Sequence, residues 1–329
     1  MKNIIRMLFS AAVLQACLIP SLHGVAVASD KKTDEAKKAE QDVPSFLQDI
    51  SVTISTRFAE GSGVAFTRDG ITFIWTAAHV VNDLRSTRTI VDPQTGTKRT
   101  IIEFADAQVV KTLIEDGRAV GRIQMDAKVV RYSGADYGND LALLRVRKKN
   151  YIRTSAKFYL EEKIPSLGTR LFHVGSLLGQ VGSNSMTAGI VSQHGRVLSG
   201  LQGVFDQTTV TAFPGSSGGG VYLEDGRYIG MLVRGAGEGF NLIVPVRRMR
   251  TWAKEAGIEW AMDPTVKMPS AEELRKMPVE FTGTMFSSSR KDGDKKMTGK
   301  RFPYQIRNKT PFPFAQGGPV VPKFPLSRP

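Results

Sequence analysis

Between Val52 and Ile243 the apolar residues come in short runs, and most runs end in a turn signal. Val52-Thr53-Ile54-Ser55-Thr56 alternates apolar with polar, the period of a half-buried strand. Arg68-Asp69-Gly70 and Glu224-Asp225-Gly226-Arg227 read as hairpin turns. The 32 glycines gather between such runs, which favours many turns and short strands over long helices. The first set of candidate strands is 52–56, 61–66, 71–76, 100–104, 126–132 and 141–146. A second set follows at 170–174, 185–191, 208–212, 219–223, 228–233 and 240–243. Residues 245–256 then turn amphipathic, with Val246, Met249 and Trp252 at helical spacing. The expected fold is all-β: two six-stranded antiparallel barrels, about 46–150 and 151–262, with a closing C-terminal helix.

The ends have a different texture. Lys2 and Arg6, an apolar run from Met7 to Pro20, and Ala26-Val27-Ala28 read as a cleavable export signal over 1–28. Export places the protein in a periplasm or outside the cell. Leu14-Gln15-Ala16-Cys17 also fits a lipid-anchoring signal, but the residues after Cys17 stay apolar, which favours simple cleavage. Residues 29–45 form a charged linker. Ser270-Ala271-Glu272-Glu273 reads as a capping box opening a two-turn helix. Residues 263–329 otherwise read as a basic, Pro-rich, disordered tail with little packing against the barrels, and carry 13 Lys/Arg against 6 Asp/Glu. Phe302, Tyr304, Phe312 and Phe314 lie among its basic residues. Such a tail binds anionic polymers or lipid weakly. The chain carries a formal charge of +14.

Three segments carry chemistry. Thr76-Ala77-Ala78-His79 sets a histidine just after a strand. Asn139-Asp140-Leu141-Ala142-Leu143-Leu144 sets a carboxylate at the head of one. Pro214-Gly215-Ser216-Ser217-Gly218-Gly219 sets a serine in a glycine-rich turn. A serine hydroxyl needs a base to take its proton, imidazole serves near neutral pH, and a carboxylate fixes its tautomer. The turn glycines allow the amides of Gly215 and Ser217 to converge on one oxyanion. With Cys17 the single cysteine, thiol catalysis and thiolate metal sites are excluded from a processed chain. His173 sits in a strand and His194 in a turn, neither with a ligand partner at helical spacing, so no metal and no cofactor is expected.

These segments resemble the trypsin-like, chymotrypsin-fold serine proteases, most of all their bacterial HtrA-type branch. The resemblance runs from about Gly61 to Met249 and includes Val174-Gly175-Ser176 and Thr187-Ala188-Gly189-Ile190-Val191-Ser192. It implies a chymotrypsin-like double barrel and an endopeptidase acting on polypeptides, with His79, Asp140 and Ser217 as the triad. It also implies that Thr211 lies at the base of the primary pocket with Leu232 near it. Val233, Arg234 and Gly235 would pair with the substrate backbone. Arg234 would favour acidic residues beside the cut, or stand solvated at a strand end. The sequence departs from the family in places. Ser216 stands where these enzymes carry an aspartate or asparagine, so activation through a new N-terminus is not expected. The stretch from His79 to Asp140 is long, implying an insertion around 86–121. HtrA-type enzymes generally carry a PDZ domain, and the residues past Met262 offer too few strands for one. The alternatives are a catalytically inactive binding protein on the same fold, and a polyanion-binding protein acting through its tail. Oligomeric state is not legible.

Overall fold

The structure, a computed structural model, describes residues 43–283 apart from 116, 199–200 and 236–238. The expected export signal, Cys17, most of the expected charged linker and the chain past 283, with its aromatic residues from Phe302, lie outside the described residues.

Residues 43–49 are helical (α1), so regular structure begins inside the expected linker. Val43, Phe46, Leu47 and Ile50 recur at helical spacing, and Leu47 and Ile50 are completely buried. The following strands are β1 (Ser51–Ser55), β2 (Glu60–Arg68), β3 (Ile71–Thr76), β4 (Arg85–Val91), β5 (Lys98–Phe104), β6 (Ala107–Glu115), β7 (Arg118–Ser133) and β8 (Leu141–Lys149). Six of them close a barrel in the order β1-β2-β3-β8-β7-β6. Strands β4 and β5 pair only with each other as a separate ribbon, which accounts for part of the long stretch between His79 and Asp140. The candidate strand 100–104 therefore belongs to the ribbon, and its expected place in the barrel is taken by β6. Burial separates the two: Ala107, Val109 and Val110 of β6 face the core, whereas β4 is exposed along nearly its whole length.

The second barrel contains β9 (Lys157–Phe158), β10 (Arg170–Leu177), β11 (Gly182–Arg196), β12 (Phe205–Thr208), β13 (Gly220–Leu223), β14 (Arg227–Gly235) and β15 (Asn241–Pro245). The order β13-β10-β11-β12-β15-β14 closes through a β13–β14 pairing, and β9 adds in parallel to β14. Strand β12 ends at Thr208, earlier than the expected 212. Side chains take the backbone bonds beyond it: Thr208 Oγ accepts from the Val210 amide (3.2 Å) and Asn241 Nδ2 donates to the Val210 carbonyl (2.7 Å). Thr209 still bonds to Ile190 through its amide (3.1 Å) and its hydroxyl (2.9 Å), and the chain beyond it runs on toward Ser217.

Helix α2 (Val246–Glu255) buries Val246, Met249, Trp252 and Ala253 along one stripe. The chain then returns to the first barrel. Trp260 meets the Phe73 ring edge-on with centroids 4.9 Å apart. Trp75 Nε1 donates to the Ala261 carbonyl (3.1 Å), and Trp75 itself packs against Trp252. The Arg68 guanidinium donates to the carbonyls of Trp260, Asp263, Pro264 and Val266. Ser270 caps α3 (Ala271–Lys276) in a full capping box with Glu273. Beyond it Val279 and Phe281 bond to the main chain of Tyr132 at 2.8 and 2.9 Å. Residues 263–282 are thus packed onto the barrels, against the expectation of a loose tail from 263. Main-chain carbonyls make part of the attachment, and Val266, Met268, Leu274, Val279 and Phe281 pack against the core without one sustained helical or alternating period.

Candidate active site

His79 lies just past β3, in a single 3-10 turn over Ala78–Val80 whose flanking Ala78 and Val80 are buried while the imidazole reaches the surface. Asp140 immediately precedes β8 and is 4% exposed. Its φ of +57° is a conformation that aspartate tolerates better than most residues. One carboxylate oxygen accepts from the His79 main-chain N–H (3.0 Å), and the two lie 3.0 and 2.9 Å from Nδ1. Residues 61 positions apart are therefore joined through both backbone and side chain. Burial would raise the Asp140 carboxyl. The charge and hydrogen bonds of His79, with the charge of Arg234, outweigh burial and hold it below its ordinary value.

Phe213-Pro214-Gly215-Ser216 form a type II turn. Proline stands at the second position and Gly215, at φ +94°, at the third, with the Ser216 amide bonded to the Phe213 carbonyl (2.9 Å). The Leu178 amide donates to the Pro214 carbonyl (2.7 Å), and Ser62 Oγ donates to the Gly215 carbonyl (2.7 Å). In a trans peptide N–H and C=O point opposite ways. Fixing the Pro214 oxygen toward Leu178 therefore turns the Gly215 N–H to the other side. Among the described residues neither the Gly215 nor the Ser217 amide has a protein acceptor. Ser216 is fully buried and its Oγ accepts from the Phe213 amide (3.1 Å), whereas Ser217 is half-buried.

The serine turn meets β2 and the end of β3, the strand that leads to His79. The Ser62 amide donates to the Ser217 carbonyl (2.7 Å). A Cβ at Gly218 would stand 2.2 Å from the Ser62 carbonyl oxygen and 2.4 Å from Thr76 Oγ, so only glycine allows this approach. Ser217 is thereby held beside the segment that carries His79.

The other expected contacts fall as follows. Thr211 is exposed, its carbonyl accepting from Thr187 Oγ (2.9 Å). Leu232 and Val233 are buried in β14, and the Leu232 main chain bonds to the amide of Gly218 and the carbonyl of Gly219. Gly235 pairs with Asn241 at the end of β14. The Arg234 side chain turns inward rather than to solvent: Nη1 is 2.9 Å from His79 Nδ1 and 3.1 Å from Asp140 Oδ2. Sequence reasoning placed Arg234 at the site but missed this contact, which no local pattern announces. His173 is completely buried, with Nδ1 donating to the Gly220 carbonyl (2.9 Å), and burial pushes its pKa down to about 4. His194 lies away from these residues, against Asp206 and the Pro165 carbonyl.

Residues 61–231 match the trypsin-like peptidase domain. The chain belongs to that family. Among curated relatives, the serine protease Do-like HtrA of Lactobacillus helveticus is 30% identical over 178 residues, 53% of this chain and 35% of its own length. A probable periplasmic serine endoprotease, DegP-like, of Pseudomonas putida is 35% identical over 128 residues, 39% of this chain and 24% of its own. The chain thus spans about a third or less of these trypsin-like relatives. Among solved structures, Deg5 is 21% identical with a TM-score of 0.49, covering 70% of this chain and 98% of that one. The serine endoprotease of Yersinia pestis is 20% identical with a TM-score of 0.47, covering 65% of each chain.

Proposed function

We propose that the protein is an exported serine endopeptidase that cuts polypeptides through an acyl-enzyme on Ser217. The observation that carries this reading is the seating of the His79 Nδ1 on both oxygens of a buried Asp140, with the Gly215 and Ser217 amides of the serine segment lacking a protein acceptor among the described residues. Asp140 holds the Nδ1–H tautomer and leaves the Nε2 lone pair free. Nε2 takes the Ser217 proton as Oγ attacks the scissile carbonyl. The new oxyanion is received by the Gly215 and Ser217 amides. His79 then passes the proton to the leaving amine, and water repeats the sequence to free the acid. No metal or cofactor has a part in these steps.

Export is supported by the leader-like residues 1–28, and the DegP-like relatives are described as periplasmic. The basic residues past 263 suit weak, salt-sensitive association with polyanions or anionic lipid. A fluorophosphonate probe tests the reading. Purified protein should be labelled on Ser217, and Ser217→Ala should lose both labelling and peptide hydrolysis, the latter by about 10⁶-fold in turnover. Absence of both labelling and peptide hydrolysis, or a label on Ser216, would refute it.

A further inference from the structure

The inward turn of Arg234 gives His79 Nδ1 two incompatible tasks. A guanidinium can only donate, and a carboxylate can only accept. As an N–H, Nδ1 donates to Asp140; as a lone pair, it accepts from Arg234 Nη1 at 2.9 Å, whose two hydrogens also face the Val233 carbonyl (2.9 Å) and Asp140 Oδ2 (3.1 Å). The first arrangement leaves Nε2 free to take a proton. The second puts the proton on Nε2 and disables the base. Proton uptake during the reaction would also create an imidazolium beside a guanidinium. Arg234 in its observed place therefore opposes the chemistry proposed for this site.

The surroundings indicate what would draw it away. Arg234 is about a third exposed, and Asp140 is its ion-pair partner. Arg248, from α2, lines the same small recess as Asp140, Arg234, Gln202 and Phe205. Its Nε is held by the Asn139 carboxamide oxygen (3.1 Å) and its guanidinium lies over the Phe205 ring. Among the described residues Arg248 makes no ion pair with a carboxylate. Two guanidiniums thus face one carboxylate, leaving excess positive charge beside the strand end Val233–Gly235, where an extended substrate would add. A side-chain carboxylate is the group that complements it.

We propose that Arg234 determines specificity by inhibition: it occupies the His79–Asp140 pair until an acidic side chain of the bound polypeptide takes over its guanidinium. Peptides with Asp or Glu on the side of the cut that pairs with Val233–Gly235 are then cut in preference. This rests on the serine-peptidase reading above.

The test uses the full chain and matched peptides that differ only by Glu or Gln at each of the four positions N-terminal to the cut. The wild-type protein should favour Glu in kcat/KM at one of these positions by roughly tenfold, a factor typical of one partly screened ion pair, and the ratio should shrink with added salt. Arg234→Gln should raise kcat/KM on the Gln peptide several-fold and bring the ratio close to one. Arg234→Glu should invert the ratio, favouring the Gln peptide over the Glu peptide. Lower activity of Arg234→Gln on both peptides with an unchanged ratio would overturn the proposal and make Arg234 a support for Asp140. So would a wild-type ratio of one, which stands independently of whether any variant folds. Fluorophosphonate labelling of Arg234→Gln, in which nothing occupies the His79–Asp140 pair, separates the two failures. A labelled variant beside a wild type without Glu preference sinks this inference alone, and absence of labelling in both proteins sinks the peptidase reading.

Discussion

The Leu178 amide and the Pro214 carbonyl oxygen are 2.7 Å apart, and this bond sets the direction of the peptide that follows. Leu178 and Gly179 both have positive φ, so a left-handed kink in one loop presents the donor to the serine turn. Gly215 completes the arrangement, because its φ of +94° is closed to most side chains and a Cβ there would stand 2.2 Å from the Ser176 carbonyl oxygen. Gly215→Ala should therefore rotate the amide out of place. The expected loss is about 10²–10³ in kcat, with KM changed little, as for removal of one oxyanion donor. Steady-state kinetics on a peptide ester or amide would check it, with circular dichroism confirming the fold.

Ser216→Ala should behave differently from Ser217→Ala. The Ser216 hydroxyl is buried and accepts the Phe213 amide, so its removal leaves that donor without its side-chain partner. A cost of about 1–3 kcal/mol is expected, read as a lower urea midpoint. Fluorophosphonate labelling should persist in the folded fraction.

Arg68→Ala should destabilise the protein although Arg68 lies far along the chain from the segment it holds. Its guanidinium joins four carbonyls between Trp260 and Val266 and so ties the strap after α2 to the first barrel. Loss of this clamp should cost about 2–4 kcal/mol, measured by urea unfolding. Ending the chain at Met262 should cost at least as much, because Asp263 and Val266 then go with it, as do the bonds from Val279 and Phe281 to Tyr132.

The barrels were legible because their strands announce themselves. Ile71–Thr76 was expected to the residue, and the capping box at Ser270 was expected with its partner Glu273. Strand identity was easier than strand partnership. The apolar run 100–104 looks the same locally whether it joins a barrel or an outlying ribbon, and long-range pairing decides between them. The His79–Asp140 pairing was foreshadowed by motif and not by spacing, since the two lie 61 residues apart. The strap beyond Met262 and the contact of Arg234 with that pair were illegible for one shared reason. Both depend on where a guanidinium points, which is settled by tertiary surroundings rather than by neighbours in sequence.

His173 offers a pH signature separable from catalysis. It is completely buried beneath the serine turn, gives Nδ1–H to the Gly220 carbonyl, and leaves Nε2 without a partner among the described residues. Burial, against a smaller opposing effect of the Gly220 bond, lowers its pKa to about 4, whereas an unfolded histidine titrates near 6.5. Between these values the unfolded chain binds the extra proton and the folded protein does not, so stability rises with pH across that window. The stabilisation is complete above about pH 6.5 and is lost as pH falls toward about 4, amounting to roughly 3 kcal/mol over the full span. His173→Gln should flatten this part of the curve while lowering stability at pH 7. Urea midpoints measured in steps from pH 7.5 to 4 would reveal it. Parallel curves for the variant and the wild type would show that another group governs the acid sensitivity.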